Sequence, residues 1–306
     1  MTVLTNWPAI PNRIAIACEY LQDAGAGGAT REQFDALLSP GPASPDDDEE
    51  RPGKSMARHV LDELEALGLA VSTGAGVRLA PDLPTKPMPY AQWMEWLLPH
   101  MSARLTDPLQ AVACRQGGVP LALAWLLTQD PRRPIRSSGV HPDLLQSQLG
   151  DVDALGFNLR NDQNFQNLIY WARYLGLAET MNLRAGTASG AAWHVIADPT
   201  RAIRRVLPRI FCDGRDMGVS SFMERLAAAL PVLEEGSARF EVERRFVGAP
   251  PRADQHFSGA SGLALKRLAR EGALQLLAES DAERWVIEDG QDAQSVSRVV
   301  WQGEQA

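Results

Sequence analysis

The sequence predicts a mainly α protein with small β wings (α+β): three tandem winged helix-turn-helix units with a helical spacer. Three observations predict it. Three times, in residues 55–82, 163–199 and 261–289, an apolar-faced helix stops at a glycine, and two short strands follow around a polar tip. The three copies also align. Leu61, Ile169 and Leu265 each lie seven residues before the stops Gly68, Gly176 and Gly272, and Leu64, Ala172 and Leu268 each lie four before. Positions at that spacing share one side of a helix and face the core. Finally, each copy closes on an aspartate, Asp82, Asp198 or Asp289. The glycine suits a left-handed helix stop and the aspartate suits the turn leaving the wing.

The elements follow in order. Residues 1–84 form the first winged helix. Its helix 11–23 places Ile14, Cys18 and Leu21 on one face, and Thr30 starts a second helix over 31–38 as its N-cap. The run 39–54, rich in proline and charge, is an exposed loop before the helix 55–67. Residues 85–130 are the helical spacer, expected to pack against the first unit, with helices over 90–105 and 109–129, the second broken near Gly117, Gly118 and Pro120. Residues 131–200 hold the second winged helix, with short helices over 142–149 and 152–155 leading to its main helix. Residues 201–290 contain the connecting helix 200–211, a helix over 220–234, a helix or strand over 240–246 and the third winged helix. There the strands 273–278 and 284–288 are expected to pair. Residues 291–306 are a polar tail, frayed apart from 299–301.

Composition narrows the role. The hydrophobic fraction of 45% is that of a globular chain. The longest apolar run, Val119–Leu127, is too short to span a bilayer, and the first residues show no leader pattern. Three scattered cysteines suit a reducing compartment, so a cytoplasmic location without membrane association is expected. The net charge of −8 argues against non-specific coating of nucleic acid. The charge is uneven, however: residues 1–130 carry 9 basic and 16 acidic side chains, residues 216–306 carry 10 and 15, and residues 131–215 carry 11 and 7. All 11 of those basic residues are arginine.

The positive third holds the candidate DNA-binding residues. Around the second main helix these are Arg160, Asn161, Gln163, Asn164, Gln166, Asn167 and Arg173. Asparagine and glutamine can pair with adenine edges and arginine with guanine, although an ordinary polar helix face would have the same composition. The connecting helix adds Arg201, Arg204, Arg205 and Arg209, which could contact phosphates or pair with acidic neighbours. In the third unit Lys266, Arg267 and Arg270 stand beside Glu271, Glu279, Asp281 and Glu283, a mixture that suits a protein contact equally well. In the first unit Arg58 and His59 face Asp62, Glu63 and Glu65, and the run Asp46, Asp47, Asp48, Glu49 and Glu50 would repel DNA. That run is either a solvated loop or a docking segment for a basic partner. The large tryptophans are expected in the core.

No catalytic, metal-ligating or cofactor-binding pattern emerges. The five histidines are scattered without HxH or HExxH spacing, and the glycines at 25–28 and 259–262 lack the phosphate-loop pattern. The expectation is a non-enzymatic protein without a cofactor.

The opening LTNWPAIPNRIAIACEYL, the three repeated units and the chain length together resemble DpdG-like proteins. These are accessory components of bacterial genomic islands that insert 7-deazaguanine derivatives into DNA and act against phages. The resemblance implies a bacterial cytoplasmic protein working with larger nuclease, helicase or modification partners, and it carries over no catalytic residue. The expected role is thus a component of a DNA-modification and antiviral defence system that binds double-stranded DNA through its second unit and other proteins through the rest. The alternatives are a protein-interaction scaffold that holds no DNA and a winged-helix transcription regulator.

Overall fold

All three stop glycines are left-handed in the computed structural model: φ is +67° at Gly68, +76° at Gly176 and +75° at Gly272. Each closes the same pair of backbone hydrogen bonds. Leu69, Leu177 and Ala273 donate to the carbonyls of Leu64, Ala172 and Leu268 at 2.7, 2.8 and 2.9 Å. The glycine N–H groups donate to Glu65, Arg173 and Ala269. This is the Schellman stop, which satisfies carbonyls that the helix end would otherwise orphan. The aligned apolar positions are buried in every copy. The structure describes residues 2–38, 53–74, 76–150, 156–184, 191–248, 250–290 and 292–303. The candidate partner residues Asp46–Glu50 and the helix expected over 152–155 lie outside them.

Twelve α-helices and ten strands, all in small antiparallel sheets, make the described residues a mixed α+β fold. In the first unit α1 (Pro11–Asp23), α2 (Arg31–Leu38) and α3 (Gly53–Ala66) precede the hairpin β1 (Ala70–Thr73) and β2 (Gly76–Leu79). Ala29, between α1 and α2, bridges Val77 on the free edge of β2. In the second unit β3 (Ile135–Arg136) precedes α7 (His141–Leu149) and α8 (Asp162–Leu175), and then β4 (Ala178–Arg184) and β5 (Ala191–Ala197). The strand order is β3-β5-β4. In both units the closing strand pairs with the strand after the glycine, and its other edge meets an early segment, the single bridge at Ala29 in the first unit and β3 in the second.

The third unit keeps that connectivity but not the expected pairing. Strand β7 (Leu274–Leu277) follows Gly272, yet it pairs with β10 (Arg298–Trp301), and β6 (Asp216–Gly218) takes the other edge. The strand expected to close the wing is β8 (Trp285–Asp289), and it forms its own hairpin with β9 (Asp292–Val296). The β8–β9 hairpin is thus inserted between β7 and β10, and residues 292–296 and 298–301 are paired strands rather than a frayed tail. Periodicity marked the strands but could not choose partners for them, because pairing depends on register across long separations. The helices of this unit are α10 (Val219–Ala229), α11 (Ser237–Glu243) and α12 (Gly259–Arg270), so residues 240–246 begin as helix, not strand.

The spacer also departs from expectation. Its helices are α4 (Tyr90–Thr106), α5 (Pro108–Ala113) and α6 (Val119–Leu127). Helix α4 packs on α1 of the first unit, as expected. Helix α6 is buried at every position but Leu121 and packs on α4, α5, α8 and α11, so it is the hub of the molecule. A helix that is apolar all round has no solvent face to present and must be enclosed.

The N-terminal segment is tied into this hub by buried polar groups. Val3 N–H donates to Gln116 Oε1 at 2.8 Å, and the Gln116 amide donates to Glu63 Oε2 at 2.7 Å. Asn6 Nδ2 donates to the His59 carbonyl at 2.7 Å and to Glu63 Oε1 at 3.2 Å. The Trp171 indole donates to the Ala9 carbonyl at 3.0 Å. Glu63 is therefore not part of a polar outer face; it is 1% exposed, and burial raises its pKa above the ordinary carboxylate value.

Candidate nucleic-acid interface

Helix α8 starts because Asn161 caps it: extended at φ −142°, its side chain accepts from Asn164 N–H at 2.8 Å. Asp162 in the first turn complements the helix dipole, and its carboxylate also accepts from Gly139 N–H at 2.8 Å. Beneath it His141 is fully buried, stacked on Phe165 with centroids 4.3 Å apart, and burial pushes its imidazole pKa below the ordinary value. The apolar stripe Phe165, Leu168, Ile169, Ala172 and Leu175 then fastens α8 to the core.

The amides of this helix are mostly spent inside the protein. Asn167 is 2% exposed and donates to the Val3 and Leu4 carbonyls at 3.1 and 3.3 Å. It joins the N-terminal segment to α8 and is not on the outer face, contrary to expectation. Asn164 donates to the Asn158 carbonyl, and Gln166 donates to the Ser137 carbonyl at 2.7 Å. Asn161 is engaged as the cap. Of the five candidate amides only Gln163 is exposed with its side chain uncommitted among the described residues. Arg160 and Arg173 are both exposed.

The arginines of α9 (Thr200–Ile210) behave similarly. Arg201 donates to the Arg173 carbonyl at 2.8 Å and pairs with Glu179 at 2.9 Å. Arg205 donates to the Leu175 carbonyl at 3.3 Å. The two therefore cap the C-terminal end of α8, where cations meet orphan carbonyls and the negative end of the dipole. Burial, then the charge of Arg201, lowers the Arg205 pKa. Arg204 pairs with Glu271 at the end of α12. Asp198, read as a turn residue, is buried; it accepts from Thr200 and pairs with Arg267. Only Arg209 of the four is exposed and uncommitted among the described residues.

Three residues of this region were not anticipated. Arg136 on β3 is exposed, as are Tyr170 on α8 (45%) and Trp193 on β5 (56%). The assumption that tryptophan belongs in the core holds for Trp93, Trp125 and Trp171, each 0% exposed, and fails for Trp193. On β5 the alternation puts Trp193 on the same face as Val195 and Ala197, which are covered. The period was therefore legible, but the end of the cover was not. Among the described residues no group of His, Cys, Asp and Glu could hold a metal ion. No helix among them is long and apolar enough to cross a membrane.

The described residues thus form an α+β protein in which one helix-glycine-strand pattern recurs three times around the buried α6, and its most basic copy exposes arginines together with Tyr170 and Trp193. The profile of the DpdG-like family matches residues 1–282, and the chain belongs to that family. Membership fits a component of a DNA-modification system. Comparison with curated proteins and with solved structures gives no match.

Proposed function

We propose that this chain is a non-enzymatic component of a bacterial DNA-modification and anti-phage defence assembly, and that its three units are winged-helix modules. The second unit contacts DNA and the rest of the chain contacts partner proteins. The observation that carries the DNA reading is the concentration of charge: residues 131–215 are the only net-positive third of an acidic chain, and Arg173 and Arg209 there are exposed with no internal acceptor among the described residues. Such guanidinium groups are available to phosphates. The partner reading is supported by helix α5, where Leu109 is 84% and Val112 68% exposed one turn apart. Apolar side chains this exposed on one helix face suit burial against another protein.

The test of DNA binding is affinity as a function of salt for the wild type and for Arg173→Glu/Arg209→Glu. Affinity should fall steeply with salt, and the double variant should bind more weakly with a shallower slope. Arg204→Glu/Arg205→Glu is a poor probe, because those side chains hold α8, α9 and α12 together. A wild type without salt-dependent affinity at low ionic strength would sink the DNA reading and favour the scaffold. Leu109→Asp/Val112→Asp should abolish co-purification with other proteins of the modification system. A fully retained complex would remove α5 from the interface.

A further inference from the structure

Sequence-specific reading of a duplex needs free donors and acceptors to meet base edges in a groove. The second unit has spent most of those groups on itself: Asn161, Asn164, Gln166 and Asn167 are all committed to backbone partners. What remains outside is of another kind. Along α8, Gln163, Gln166, Tyr170 and Arg173 follow at three- and four-residue steps and share one face. From that face the Gln166 amide reaches the Ser137 carbonyl, and Ser137 N–H in turn holds the Trp193 carbonyl at 2.9 Å. Ile135 lies in register with Val195 and Arg136 with His194, so Trp193 stands on the face of Ile135 and Val195, and Arg136 on the opposite one. The face of α8 that bears Tyr170 and Arg173 is therefore joined through Ser137 to the strand position of Trp193, and these form one strip. None of these residues is acidic, although the chain carries net charge −8.

We infer that this strip binds single-stranded nucleic acid, with Tyr170 and Trp193 stacking on bases and Arg173 contacting the phosphates. The inference rests on the DNA reading of the second unit and names the form of nucleic acid. Half-exposed aromatic rings offer π-faces, which a duplex cannot use because its own base faces are already stacked. An unpaired strand exposes them, and stacking with nearby arginine is the chemistry by which such strands are held without sequence preference. Arg173 makes no ion pair among the described residues, so it is available to the backbone.

The experiment is fluorescence anisotropy with the full chain, using a labelled dT20 strand and a 20-base-pair duplex at several salt concentrations. The wild type should bind dT20 at least about tenfold more tightly than the duplex. Tyr170→Ala and Trp193→Ala should each weaken dT20 binding roughly 5- to 150-fold without changing its salt dependence. Trp193→Phe should keep most of the affinity, since it retains a stacking face. Arg173→Gln should instead flatten the salt dependence, by roughly 0.7 in slope for the lost phosphate contact. Both aromatic side chains are substantially exposed, so thermal unfolding of the variants should match the wild type, and Trp193→Phe with Tyr170→Ala preserves the test if Trp193→Ala does not fold. Duplex binding as tight as dT20 binding, with the aromatic variants unaffected, would overturn the single-strand inference and leave the DNA reading standing. Absence of binding to either at low salt would overturn both.

Discussion

The repeat supplies its own control experiment at the stop glycines. Gly68 and Gly176 have nearly the same backbone, φ +67° and +76°, but different surroundings. A Cβ at Gly68 would meet only Arg104 Nη2, at 3.8 Å, whereas at Gly176 it would lie 2.9 Å from Arg201 Cβ and 3.0 Å from Ala202 N. In both places alanine must hold a left-handed conformation, at about 1–2 kcal/mol, offset by about 0.4–1 kcal/mol from the stiffer unfolded chain. Gly68→Ala should therefore destabilise by about 1 kcal/mol on balance. At Gly176 the neighbour is the backbone of α9 and cannot rotate away, so overpacking adds about 1–3 kcal/mol, for a total of about 2–4 kcal/mol. Urea unfolding of both variants, fitted with the wild-type slope, measures the difference. Ala202 N–H donates to the Gly176 carbonyl at 3.1 Å, and its exchange with solvent should accelerate in Gly176→Ala alone. Equal losses in the two variants would refute the claim that α9 is seated directly on the end of α8.

Other perturbations separate structure from binding. Asn167→Leu should cost about 1–3 kcal/mol by orphaning the Val3 and Leu4 carbonyls, and should leave the salt dependence of DNA binding unchanged; a shallower slope would return Asn167 to the interface. Glu63 has a raised pKa because burial disfavours its charge, so its contribution to stability is complete below the ordinary carboxylate value near 4.5 and is lost as pH rises through the raised one. The stability of the wild type minus that of Glu63→Gln should therefore decline from pH 4.5 upward, and a pH-independent difference would contradict this. Arg239 is 0% exposed, donates to Glu243 at 2.6 Å and lies 3.8 Å from the equally buried Glu234. Burial pushes the Glu234 pKa up, but Arg239 and the donors Ser258 and Ser261 hold it below the ordinary value, so its charge depends on them. Arg239→Met should cost about 3–5 kcal/mol, partly restored by adding Glu234→Gln. Arg204→Ala, removing a half-exposed pair, should cost no more than about 1 kcal/mol. Chemical unfolding of the three variants decides the ranking.

The sequence by itself determined the repeat. Helix stripes, glycine stops and strand alternation are local, and residues a few positions apart carry them; Leu61, Ile169 and Leu265 could be placed in the core without knowing what they touch. It also located the positive third, because charge is counted and not folded. Tertiary structure alone decided which polar residues are free. Asn167 and Gln163 are chemically alike and four residues apart, yet one meets the Val3 and Leu4 carbonyls, brought from more than 160 positions away, and the other meets solvent. The α9 arginines became caps and ion-pair partners only when α8 and Glu271 arrived beside them. Strand β8 lacks its expected partner because β7 pairs with β10, from farther along the chain. Hydrogen bonds and ion pairs of this sort are set by long-range geometry, which no local period encodes. For that reason the aromatic strip of Tyr170 and Trp193 emerged only from the fold.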